Sequence, residues 1–207
     1  RYCGSESVQA VDTISSTGSP SFAPSFIAAD IEMAAIAISG SETVLTPESP
    51  QHLAVGWLSS VDEFDTEGVG LIFSERYILT VFYYAMKGEN WLEQEQWLSP
   101  TLHVCDWSIS VTCASDRSQK QVVTGIDLTR NGLSSQIPSE IGLIEGLTLL
   151  RLAKNAINGT IPPEISELTN LVNLDLSANQ LSGPVPSGIG NLQDLLLLEL
   201  FDNTLTG

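Results

Sequence analysis

The chain is poor in side chains that do chemistry. Across 207 residues, thiol and imidazole groups come only from Cys3, Cys105, Cys113, His52 and His103. Cys105 and Cys113 lie eight apart with Trp107 between them, and Cys3 is left over. No Cys-x-x-Cys occurs and the histidines are not clustered, so a zinc site is not expected. Neither histidine stands in a GxSxG or HExxH setting, and Gly68-Val69-Gly70 lacks the third glycine of a phosphate-cradling loop. A hydrolase built around His52 or His103 by folding is the remotest reading. Asp62, Glu63, Asp65 and Glu67 form a dense run of oxygen ligands, but without the alternation and placed glycine of an EF-hand loop. They read as a solvated acidic loop. The expectation is no catalytic residue, no metal, no cofactor and no enzyme activity.

Composition narrows the partners. Asp+Glu number 25 and Lys+Arg only 8, a formal charge of −17. Such a surface repels phosphate backbones and anionic lipid, which disfavours nucleic acid and peripheral membrane binding. No run of ~20 apolar residues occurs, so no span is expected within this segment, although one outside it is compatible. The chain opens on Arg1, which suggests a processed protein or a fragment.

Repeats dominate from residue 123. At a spacing of 24, Leu147, Leu171 and Leu195 share one column, Leu150, Leu174 and Leu198 the next, then Leu152, Leu176 and Leu200. Asn155, Asn179 and Asn203 follow, then Ile157, Leu181 and Leu205, then Gly159, Gly183 and Gly207. One step earlier Val123, Ile126, Leu128, Asn131 and Leu133 fit the frame, with Ser135 in place of glycine. The pattern is LxxLxLxxNxLxGxIPxxIGxLxx. The LxL segment is a short strand with leucines turned inward, asparagine turns the chain, and proline forces a bend. One unit cannot bury its apolar face alone, so units stack on a shared core.

This pattern resembles the plant-type leucine-rich repeat (LRR) family over residues 123–207. Upstream, a helix from Glu75 to Gly88 with Ile78, Val81, Phe82 and Met86 at helical spacing is followed by Asn90-Trp91, Trp97-Leu98, Cys105-Asp106-Trp107 and Val111-Thr112-Cys113. That series is similar to the N-terminal cap of such proteins. The run from Ser49, with a short helix over Leu53, Val55, Trp57 and Leu58, is similar to the cap extension of algal LRR receptor-like proteins. The resemblance implies an α/β solenoid of short parallel strands with a helical cap, and a Cys105–Cys113 disulfide. It divides the chain into a Ser/Thr/Pro/Ala-rich, flexible leader or stalk (1–46), the cap (47–122) and about 3.5 repeats (123–207). One helix, Ile27 to Ile38 with Ile27, Ile31, Ala34 and Ile38 on one face, is expected in the leader.

Residues between the inward leucines face the concave side. Asp127, Arg151, Asp175 and Glu199 form one outward column, with Arg151 between two carboxylates; it reads either as a charge ladder or as a recognition face. Leu149, Asn173 and Leu197 form another. Arg130, Lys154 and Phe201 extend the face, with Phe201 as an exposed aromatic anchor. The expected contact set is therefore Arg130, Leu149, Arg151, Lys154, Asn173, Asp175, Leu197, Glu199 and Phe201. Asn158-Gly159-Thr160 is an N-glycosylation sequon away from that face.

The resemblance implies binding. The first reading is an extracellular ectodomain of a receptor-like or adhesive cell-surface protein that takes a protein, peptide or glycan. The alternative is a secreted or organelle-lumen scaffold subunit. The repeat pattern breaks off at Gly207, so further repeats or a partner are expected to cover the C-terminal end.

Overall fold

The computed structural model describes residues 24–60, 71–94 and 96–206. Helices come first: α1 (Pro24–Ser39), α2 (Ser41–Leu45), α3 (Pro50–Ser60) and α4 (Leu71–Ala85). Nine strands follow among the described residues: β1 (Val111–Ser115), β2 (Gln121–Asp127), β3 (Ser134–Ser135), β4 (Leu149–Arg151), β5 (Ala156–Gly159), β6 (Asn173–Asp175), β7 (Gln180–Pro184), β8 (Leu197–Glu199) and β9 (Thr204–Thr206).

The chain winds as a solenoid. One sheet has the order β1-β2-β4-β6-β8, antiparallel at β1–β2 and parallel beyond; a second runs β3-β5-β7-β9. Three short 3₁₀ segments (Ser139–Leu143, Pro163–Glu167 and Ser187–Asn191) close each coil on the convex side. Each follows an extended proline, Pro138, Pro162 or Pro186, which lacks an N–H for the ladder and turns the chain. The pairing keeps the 24-residue spacing, with Leu150 opposite Leu174 and Leu174 opposite Leu198. Leu147, Leu150, Leu152, Leu171, Leu174 and Leu176 are fully buried, as one shared core requires.

The asparagine column bolts the coils together. Asn155 Oδ1 accepts from the N–H groups of Asn131 and Leu133, and its Nδ2 donates to the carbonyls of Leu128, Leu152 and Ala153. Asn179 and Asn203 repeat the scheme one and two coils on. Asn131 has no preceding coil. Its Oδ1 accepts from Glu93 N at 2.6 Å and its Nδ2 donates to Glu93 O at 3.1 Å, so the first rung grips the cap. The glycine column is a left-handed turn, φ 78° at Gly159 and 75° at Gly183; Ser135 takes the same conformation, φ 77°, at a steric cost glycine avoids.

The cap is built differently. Ser49 Oγ accepts from His52 N at 3.0 Å and Pro50 opens α3, a serine N-cap with proline in the first turn. On α4, Ile78, Val81 and Phe82 are buried as their spacing requires, and Met86 just past its end is buried with them. The helix ends at Ala85; Lys87 turns left-handed, and Gly88 packs so close to the Tyr83 ring that a Cβ would collide with it. Trp57, Trp91, Trp97 and Trp107 cluster with ring centroids 5.0–5.9 Å apart. Cys105 and Cys113 form the disulfide, Cα–Cα 5.7 Å.

The expected leader is divided by the structure. In α1, Ile31 and Ala35 are buried and Ala34, Ile36 and Ile38 pack against the same core; Val44 of α2 is buried too. The packed body therefore includes residues on the leader side of the expected 46/47 boundary, because α1 supplies small and branched apolar side chains that fit closely. Cys3, Asp62, Glu63, Asp65, Glu67, Gly68 and Gly70 lie outside the described residues.

Candidate functional site

The concave sheet brings the expected columns together. Its register places Gly125, Leu149, Asn173 and Leu197 in one row and Asp127, Arg151, Asp175 and Glu199 in the next. Arg151 leans toward one carboxylate rather than bridging two: its Nη1 lies 3.4 Å from Asp127 Oδ2. This pair is about 40% exposed on each side, so solvent screens it and its own stabilisation is below ~1 kcal/mol. Asp127 and Asp175 also hold their own turns. Asp127 Oδ1 accepts from Thr129 N and Oγ1, and Asp175 Oδ1 from Ser177 N and Oγ. Part of the charged row is thus structural.

Other atoms of the face retain capacity. Arg151 Nε and Asn173 Oδ1 are sheltered from water and have no hydrogen-bond partner. Leu149 is half-buried, Glu199 is half-buried, and Leu197 is exposed. Arg130 and Lys154 stand at the strand ends, exposed, where φ is 60° and 59°; their backbone N–H groups donate across to Ala153 O and Ser177 O. They edge the face rather than line it. Phe201 is 57% exposed, but its column mates Ala153 and Ser177 are only 3% and 2% exposed. That column is floored by small buried side chains at its middle two coils and is exposed at its ends, Thr129 and Phe201.

The histidines have structural roles. His52 Nδ1 lies 3.1 Å from Val44 O. His103 Nδ1 accepts from Cys105 N at 3.2 Å, capping a 3₁₀ turn, and burial holds its pKa below the ordinary value. Among the described residues no His/Cys/Asp/Glu group is placed to hold a metal, and no helix is long and apolar enough to cross a membrane. Asn158 is exposed on β5, away from the concave sheet.

Sequence reasoning missed two buried ionisable side chains that fix the cap to the start of the repeats. Arg76 is fully buried; it donates to Leu102 O at 2.7 Å and Ser99 O at 2.8 Å, with its guanidinium 5.2 Å and 4.8 Å from the Trp57 and Trp107 ring centroids. Glu75 accepts from Val123 N at 3.0 Å, taking the N–H at the start of the repeat region, and burial raises its pKa to about 7. The only signal in the sequence is a lone Glu-Arg pair inside an otherwise apolar helix.

A Leucine Rich Repeat family model matches residues 170–192, the coil that carries Leu171, Leu174 and Leu176. No curated protein matches the chain. Among solved structures, the LRR ectodomain of the receptor kinase SOBIR1 from Arabidopsis thaliana superposes with a TM-score of 0.52 and 22% identity, over 70% of this chain and 71% of that one. The LRR ectodomain of the plant membrane receptor kinase GASSHO1/SCHENGEN3 from Arabidopsis thaliana, in complex with CASPARIAN STRIP INTEGRITY FACTOR 2, gives 0.51 and 36%, over 55% of this chain and 13% of that one. The BIR3–SERK2 complex from Arabidopsis thaliana gives 0.46 and 33%, over 52% of this chain and 56% of that one. The chain therefore spans little more than half of the BIR3–SERK2 chain and a small part of GASSHO1/SCHENGEN3. The fold is a leucine-rich repeat solenoid with a disulfide-linked helical cap.

Proposed function

We propose that this solenoid is a protein-interaction module, the ectodomain portion of a receptor-like or adhesive cell-surface protein, and that its concave face takes a protein or peptide ligand. The observation that carries this reading is the row geometry. Leu149 and Leu197 flank Asn173, and Arg151 sits one row over, so apolar area and two unsatisfied polar atoms stand within two neighbouring rows. The Arg151 side chain, about 40% exposed, offers guanidinium donors to a ligand carboxylate or carbonyl beside the apolar area of Leu149 and exposed Leu197. The likeness to GASSHO1/SCHENGEN3, whose structure holds a bound factor, supports a binding rather than a catalytic role.

An extracellular setting is supported by the Cys105–Cys113 disulfide, since such bonds persist in oxidising compartments. In that setting Asn158 is the residue that receives an N-glycan; the secreted protein should lose mass on deglycosylation and N158Q should not. The function itself is tested with an array of secreted peptides and protein ectodomains. The strongest binder should lose about 100-fold in affinity to the double variant R151E/F201A. Unchanged affinity would refute this placement of the ligand.

A further inference from the structure

A second concavity lies on the cap. A cleft of about 920 Å³ opens between the segment after Trp91 and the disulfide loop; Trp107 and Val111 are among the buried residues that line it. Its walls are anchored to the first repeat. On one side Leu92 N donates to Asn131 O at 3.0 Å and Glu93 N to Asn131 Oδ1; on the other Asp127 N donates to Ser110 O at 2.9 Å. The disulfide ties the second wall from below. The walls of the cleft are therefore fixed by two backbone bonds, the Asn131 side chain and the disulfide.

What lines it is unusual for a solvated surface. Leu92 is 77% exposed and Ile109 93% exposed, two large apolar side chains on one concavity. Glu93 and Asp106 are exposed beside them, and among the described residues none of those lining the cleft is basic. Buried Arg76 lies behind the Trp107 wall, 4.8 Å from its ring centroid, but the solvent side of the cleft presents apolar area next to the exposed carboxylates of Glu93 and Asp106. That pairing favours an occupant that is apolar and cationic at once, and the chain's formal charge of −17 steers such an occupant in.

We propose that this cleft is a docking site for a peptide segment of a partner protein that carries an Arg or Lys beside an aliphatic residue. The aliphatic side chain covers Leu92 and Ile109, and the cation lies between Glu93 and Asp106. The site is separate from the concave rows and does not rest on the ligand reading given for them.

The test is a titration of the isotopically labelled full chain, followed by amide and indole resonances. The probes are N-acetyl-Leu-Arg-amide and N-acetyl-Leu-Glu-amide. The arginine probe should shift Leu92, Ile109 and the Trp107 indole saturably and bind about 10-fold more tightly than the glutamate probe at low salt, with the preference shrinking at high salt. E93Q/D106N, on two exposed side chains, should remove the preference while leaving the spectrum dispersed. L92S/I109S should weaken both probes and keep the preference. F201A should change nothing, which separates failure of this proposal from failure of the concave-face reading. Equal binding of the two probes, no saturable shift at the cleft, or loss of the titration in F201A would overturn it.

Discussion

The solenoid and the cap solve one problem, satisfying buried polar groups, in opposite ways. In the solenoid each coil is served by the same side chain at the same place: Asn155, Asn179 and Asn203 bond the backbone of their own coil and the one before. In the cap nothing repeats. One buried arginine between two tryptophans and one buried glutamate at the seam do the work, each used once. Periodic satisfaction spreads risk over coils; singular satisfaction concentrates it. The cap should therefore be the region that single substitutions break.

The largest effect is expected at Arg76. Arg76→Met keeps much of the volume but leaves the carbonyls of Leu102 and Ser99 without their donor, and stability to urea should fall by about 3–5 kcal/mol. A loss near zero would mean the tryptophan cluster holds the cap unaided, and the contrast would fail.

The next effect is on pH dependence. Glu75 keeps its proton up to about pH 7 in the folded protein and releases it near 4.5 when unfolded. Its contribution is full below pH 4.5 and is lost as the pH rises through 7, a change of up to about 3 kcal/mol. Unfolding curves taken from pH 4.5 to 7.5 should show stability falling with pH, and E75Q should flatten that slope. A slope identical in E75Q assigns the dependence to other groups.

The smallest effect sharpens the solenoid side. Ser135 sits where later coils place glycine, with φ 77°. Ser135→Gly should raise the melting point slightly, by about 0.5–1 kcal/mol of stability. A loss of stability there would show that the serine makes up for its backbone conformation in another way.

The same contrast explains what could be read in advance. The coil register, the inward leucines, the asparagine bolts and the apolar face of α4 follow from spacing, because each is a rule applied several times. Depth within a row does not follow: Ala153 and Ser177 share Phe201's column yet are buried, since small side chains between larger neighbours lose their exposure. The left-handed turns at Arg130 and Lys154 were hidden because the repeat uses Arg130, Lys154, Ala178 and Asp202 there, four unlike residues. Buried Glu75 and Arg76 look like ordinary helix surface in a sequence, since only the folded cap brings Val123, Ser99 and Leu102 to them. The packing of α1 was obscured by its place next to a Ser/Pro-rich stretch.

The central claim, that the concave rows are the recognition face, is most directly tested by hydroxyl-radical footprinting with and without the strongest binder. Labelling of Leu149, Leu197 and Phe201 should drop, while Leu143 on the convex side and Met33 on α1, both exposed in the free protein, should label as before. Protection of Leu143 or Met33 with Phe201 and Leu197 unchanged would contradict the account and move the binding surface to the convex side or to α1 of the cap, respectively.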